Sequence, residues 1–232
     1  MRTNGKFISA GSNIFCKNNM QNSPTGNRLF GKKVSGPFTI PSGIVATDAS
    51  VLEKVANEIP EIGILTTKSI GTEHREGNGE PIIAHYSPFS FINAVGLANP
   101  GAEVFKRKLS KIRVPDDKFM LVSVFGSDEA GFRSTSERLL DHADGFELNI
   151  SCPHSDRYGQ VVGHDLELVE NVTRSVASLG KPVFVKISPN LGVKETAGCI
   201  ARGGASGITA INRCLNSCLA DWWLPGLTKS CS

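Results

Sequence analysis

The stretch Gly145-Phe146-Glu147-Leu148-Asn149-Ile150-Ser151-Cys152-Pro153 decides how the rest of the chain is read. Its opening residues make a short, mostly apolar run of the length a buried parallel strand needs, and the run ends on the polar Asn149. Cys152 and Pro153 follow, which places the cysteine in a loop at the C-terminal end of that strand. Working outward, five further runs of the same kind occur at 38–41, 62–67, 119–124, 183–187 and 207–211. Helix-like segments separate them, predicted over 49–57, 103–112, 128–140, 165–179 and 193–202. Asp165 supplies an N-cap oxygen to its helix, Glu167 adds negative charge to the first turn, and Gly180 stops it. Six strand-helix alternations in one direction predict a parallel sheet covered by helices.

Two architectures satisfy that pattern, a closed barrel and an open doubly wound sheet. Ser42, Lys68, Asn149, Lys186 and Asn212 stand at or near the C-terminal ends of their runs. A barrel gathers such residues around one cavity, whereas an open sheet divides them between two sides of a crevice. Five polar residues at strand ends, two of them Lys and two Asn, therefore favour a TIM-type (β/α)8 barrel with a common ligand. The excursion over 71–101 is too long for an ordinary connection and reads as a functional loop.

Composition narrows the function. The chain has 232 residues, 40% apolar and 20% charged, enough for one large soluble domain. A net charge of +3 is spread along the chain without a basic block, so no nucleic-acid footprint is expected. No run reaches the roughly 18 to 20 apolar residues of a membrane span, and the N-terminus lacks the apolar core of a secretion signal. A cytoplasmic protein is the expectation. Residues 1–28, rich in Asn, Ser and Gly and free of Asp and Glu, read as a flexible head. Cys16, Cys152, Cys199, Cys214, Cys218 and Cys231 share no regular spacing, so neither a disulfide framework nor a metal site is expected. Neither a Gly-x-Gly-x-x-Gly turn nor a Gly-x-x-x-x-Gly-Lys phosphate loop is present.

The set Lys68-Ser69, Asn93-Ala94-Val95-Gly96-Leu97, Asn149-Ile150-Ser151-Cys152-Pro153, Val185-Lys186-Ile187-Ser188-Pro189-Asn190 and Asn212 resembles the soluble, cysteine-using class of dihydroorotate dehydrogenases. Order and spacing agree over 29–212, and Asn-x-Ser-Cys-Pro is the most specific piece. The resemblance implies FMN-dependent oxidation of dihydroorotate to orotate in pyrimidine synthesis. In it, Cys152 removes a ring proton while hydride passes from the neighbouring carbon to the flavin. A thiol with an ordinary pKa of about 8.5 is only a few per cent ionised at neutral pH, so a nearby cation is needed. Lys68 fills that role in the resemblance, against both flavin and substrate. Asn93, Asn149 and Asn212 hold the carboxylate and ring amides, with Val95, Gly96 and Leu97 beside them, because one Asn side chain both donates and accepts. Lys186 stabilises negative charge on the reduced flavin ring, and Ser42, Ser69, Asn149 and Ile211 line the flavin.

Departures from the family pattern are also legible. His154 stands where the family usually has Asn, a Cys-Pro-His version that resembles dihydropyrimidine dehydrogenases of uracil and thymine breakdown. Ser155 follows where those enzymes usually have Gly. Arg213 replaces the usual Ser or Thr, and the tail over 214–232 contains no run resembling a seventh or eighth strand. The expectation is thus a barrel domain over 29–213, incomplete after about its sixth strand, with a divergent tail. Barrels of this kind usually bind phosphate with the loops after strands seven and eight. An enzyme inactive alone, or a non-catalytic barrel fragment, stands beside the active reading. The partners implied are a small pyrimidine, a second copy in a homodimer, and an iron-sulfur and FAD electron-transfer subunit.

Overall fold

The computed structural model describes residues 7–8, 13–16, 20–23, 26–44, 48–87, 90–150, 160–189 and 192–211. In chain order, β1 (Phe7–Ile8), β2 (Asn13–Cys16), β3 (Met20–Ser23), β4 (Gly26–Leu29) and β5 (Lys32–Lys33) precede the parallel sheet. Then come β6 (Phe38–Ile40), α1 (Ala49–Glu58), β7 (Ile62–Thr66), β8 (Ile83–Ser87), β9 (Ser90–Asn93) and α2 (Ala102–Leu109). Next are β10 (Phe119–Val124), α3 (Glu129–Leu139), β11 (Gly145–Asn149), α4 (Gln160–His164) and α5 (Leu166–Ala177). The last described elements are β12 (Val183–Lys186), α6 (Val193–Arg202) and β13 (Gly207–Ala210).

The six predicted runs are the six parallel strands, adjacent in the order β6-β7-β10-β11-β12-β13. Each successive pair is joined through a helical crossover, so the sheet with its helices forms a partial (β/α) barrel. Helix starts follow the capping chemistry of the sequence. Asp48, Asp128 and Asp165 each accept a backbone N–H of their own first turn, from Ser50, Gly131 and Leu168 respectively. No helix among the described residues is long and apolar enough to cross a membrane.

Ladder registers sort the strand residues into two faces. Thr66 lies opposite Leu121, Ser123 opposite Glu147, Asn149 opposite Lys186, and Lys186 opposite Thr209. Side chains paired across a ladder share a face, and residues two apart on one strand do too. The other face is continuous and apolar: Leu65, Met120, Val122, Val124, Phe146, Leu148, Val183 and Val185. It packs under Leu52 of α1, Phe105 of α2, Phe132 of α3, Val172 of α5 and Ile200 of α6. Burial on this scale, at roughly 25 cal/mol per Å² of apolar surface, is what drives the helices onto the sheet.

The inward face changes character along the strands. At the base, Ile64, Phe119, Leu121 and Phe184 cluster with Leu29 and Val34, and Phe30 stacks edge-on against Phe184 at 5.8 Å between ring centroids. The β4-β5 hairpin thus plugs the N-terminal end of the half-barrel. Lys118 closes the same end: its Nζ donates to Ser35 Oγ and to the Ile62 carbonyl, both at 2.8 Å. Gly63 is required where β7 passes the segment leading into β6, because a Cβ there would sit 2.0 Å from the Gly36 carbonyl oxygen. Toward the C-terminal end the face becomes polar.

Two stretches carry strands beyond those read from the sequence. Within the stretch read as a flexible head, β2 pairs antiparallel with β13, and β3 pairs with β4. Within the excursion over 71–101, β8 and β9 form an antiparallel hairpin. The tail over 214–232 lies outside the described residues.

Candidate active site

The polar end of the inward face is one hydrogen-bonded system, assembled from five strands. The Ser42 and Ser69 hydroxyls are 3.2 Å apart, and those of Ser69 and Ser123 are 2.9 Å apart. Asn149 Nδ2 donates to Ser69 Oγ at 3.0 Å. Ser123 Oγ donates to Glu147 Oε1 at 2.9 Å, and Lys186 Nζ donates to the same oxygen at 2.7 Å. The Thr39 and Thr66 hydroxyls, 3.3 Å apart, lie beneath. Ser123 is fully buried, and the Glu147 and Lys186 side chains are 2% and 7% exposed.

Such a layer is costly to bury unless its members satisfy one another, and the chain above shows how they do. One group does not take part. Thr209, on β13 and on the same face as Lys186, is 3% exposed, and its hydroxyl has no hydrogen-bond partner among the described residues. Buried hydroxyls left unpaired are rare in folded proteins, which makes Thr209 a candidate for the site.

The sequence-predicted residues divide by location. Ser42 lies in the turn after β6, and Lys68 and Ser69 follow β7 directly. Asn149 ends β11, Lys186 ends β12, and the half-buried Ile211 follows β13. The structure brings Ser42, Ser69, Asn149 and Lys186 into the single network described above. Lys68 is half-buried at the same sheet end, with its carbonyl accepting from Thr67 Oγ1 at 2.9 Å.

Asn93 ends β9, and Val95, Gly96 and Leu97 form the turn beyond it. Gly96 and Leu97 both take positive φ, 71° and 57°, and a Cβ on Gly96 would meet the Asn78 backbone at 2.7 Å. Leu97 packs on Phe125, the residue after β10, which ties this turn to the mouth. Asn99 fixes the segment further, accepting from the backbone N–H groups of Gly71 and Gly101. Cys152, His154, Asn190 and Asn212 lie outside the described residues.

Glu147 is the functional candidate that the strand-end reading missed. Its signal was present: Glu147 and Asn149 are two apart on one strand, so a face carrying Asn149 to a ligand carries Glu147 as well. Ser123 and Thr209 were missed for the same reason, as polar residues inside runs read only as apolar.

Comparison with known proteins identifies the family. The family model described as dihydroorotate dehydrogenase matches residues 26–221. The chain is 39% identical over 190 residues to the "Dihydroorotate dehydrogenase B (NAD(+)), catalytic subunit" of Pyrococcus horikoshii, covering 80% of this chain and 60% of that protein. The protein of the same name from Methanosarcina mazei is 35% identical over 203 residues, 83% of this chain and 64% of the relative. This chain therefore spans less than two thirds of the length of these relatives. In fold it is similar to DHODH from Eimeria tenella, solved in complex with ferulenol, at a TM-score of 0.62 and 18% identity. That likeness covers 73% of this chain and 54% of the solved one. A parallel half-barrel with a polar mouth and a family match over most of its length have one reading: the chain belongs to the dihydroorotate dehydrogenase family.

Proposed function

We propose that this chain carries the flavin and pyrimidine half-site of an oxidoreductase that converts dihydroorotate to orotate in pyrimidine synthesis. The observation that carries the reading is the buried polar layer from Ser42 to Lys186, with the unpartnered Thr209 hydroxyl at its side. A sheet end that presents hydroxyls, an amide and an ammonium above an apolar base offers the donors and acceptors that the flat, hydrogen-bonding ring of FMN needs. Ser42, Ser69, Asn149, Lys186, Thr209 and Ile211 are the residues that would hold it. When bound, FMN supplies the hydride acceptor.

The chain's own residues do the rest. Cys152 takes the proton from the ring carbon next to the one that loses hydride, with Lys68 as the cation that favours its thiolate. Asn93, Asn149 and Asn212 orient the substrate's carboxylate and amides, and the turn Val95-Gly96-Leu97 covers it. The relatives' name, a catalytic subunit of an NAD(+) enzyme, supports a second subunit that carries electrons onward. A homodimer and a cytoplasmic location belong to the same proposal.

The test is an anaerobic titration of the FMN-loaded chain with dihydroorotate and, separately, with dihydrouracil. Dihydroorotate alone is expected to bleach the flavin absorption. Bleaching by dihydrouracil alone would move the assignment to uracil and thymine chemistry, the reading His154 favours in sequence. A chain that takes up no flavin removes both.

A further inference from the structure

Glu147 is a buried carboxylate that the reaction as proposed does not use. Strand geometry sets its level: Glu147 lies opposite Phe184, one inward step below the pair formed by Asn149 and Lys186. The Lys186 amine therefore reaches back toward the base to meet it, at 2.7 Å, and Ser123 pins the same carboxylate oxygen from the neighbouring strand at 2.9 Å. Three adjacent strands each contribute one member, so the position of the ammonium is set by the sheet itself. The carboxylate comes from the lower residue and the ammonium from the strand-end residue, in direct contact on the inward face.

A buried ion pair is weak evidence for stability, since apolar residues of similar volume often serve as well or better. Its presence at this level needs another reason. We propose that Glu147 is a positioning residue that acts through Lys186: it holds the ammonium fixed at the mouth and offsets its charge toward the flavin ring. This inference rests on the flavin reading given above. Without Glu147 the full positive charge of Lys186 would face the ring, and negative charge on the reduced ring would be more favoured.

Three variants of the full chain, Glu147→Gln, Lys186→Met and the double variant, are compared in two measurements. In urea unfolding without flavin, Glu147→Gln and Lys186→Met alone should each lower the folding equilibrium constant about a hundredfold (roughly 3 kcal/mol). The double variant should lose much less than the product of the two, as coupled residues do. Independent losses would overturn the clamp. In the FMN-loaded proteins, Glu147→Gln should shift the flavin midpoint potential positive in the native background and leave it unmoved in the Lys186→Met background. A potential that does not respond, or that shifts equally in both backgrounds, overturns the positioning role while the flavin reading stands. A native chain that takes up no flavin overturns that reading and this role with it.

Discussion

Ser123 shows how much of the mouth depends on single side chains. Its hydroxyl is bonded to Ser69 on one side and to Glu147 on the other, so it joins the serine chain to the ion pair. Ser123→Ala would leave the Ser69 hydroxyl and one carboxylate oxygen short of a partner in a fully buried site. The expected cost is about 1–3 kcal/mol in chemical unfolding, well above that of a surface Ser→Ala change. What sequence could reveal at this scale was the strand-end set: Ser42, Lys68, Asn149 and Lys186 were legible because each closes an apolar run. Glu147 and Thr209 were not, because a polar residue inside such a run reads as an interruption until the ladder shows which face it occupies. Cys152, read from its neighbours alone, lies outside the described residues.

At the scale of elements, helices were the easier part. The helix predicted over 193–202 coincides with α6, and that predicted from Asp165 begins at its cap, because periodicity and capping are local. The short strands of the head and of the excursion carry no comparable local signal. Two element-level outcomes are expected. Asp48 both caps α1, accepting from Ser50, and pairs with Lys108 of α2 at 2.5 Å. The Lys108 hydrogen bond, with the Ser50 backbone N–H, holds its carboxyl below the usual range. A depressed carboxylate contributes stability that is present above its unfolded pKa, about 3.9, and is lost as pH falls through the lower folded value. Asp48→Ala should therefore cost about 1 kcal/mol at neutral pH, mostly from the cap because the exposed ion pair adds little, and the difference from the native chain should shrink in acid. Urea midpoints measured against pH would show it. Leu29, fully buried among Val34, Ile64, Phe119 and Phe184, anchors the base plug. Leu29→Ala should cost about 2–5 kcal/mol, read in the same assay.

For the molecule as a whole, six strands alternating with five helical crossovers were legible from their order, and the family could be named from motifs spread across them. The edge arrangement was not legible, since β2 against β13 depends on which strand is left at the border of the sheet. Edge strands with free backbone groups pair with whatever is available. Removing residues 1–19 should expose the β13 edge, lower the melting temperature and promote self-association. Sedimentation of the shortened and full chains would compare them, and an unchanged association state with an unchanged melting temperature would count against β2 as an edge cover. The central proposal, however, is chemical: the polar mouth and the loop after β11 serve a flavin-dependent oxidation of a dihydropyrimidine carboxylate. Its most direct measurement is anaerobic mixing of dihydroorotate with the FMN-loaded chain and with its Cys152→Ala variant, following flavin absorption. The native chain should bleach, and the variant should bind the flavin yet bleach at least a hundredfold more slowly, the scale of losing a general base. Equal bleaching in both would contradict the account.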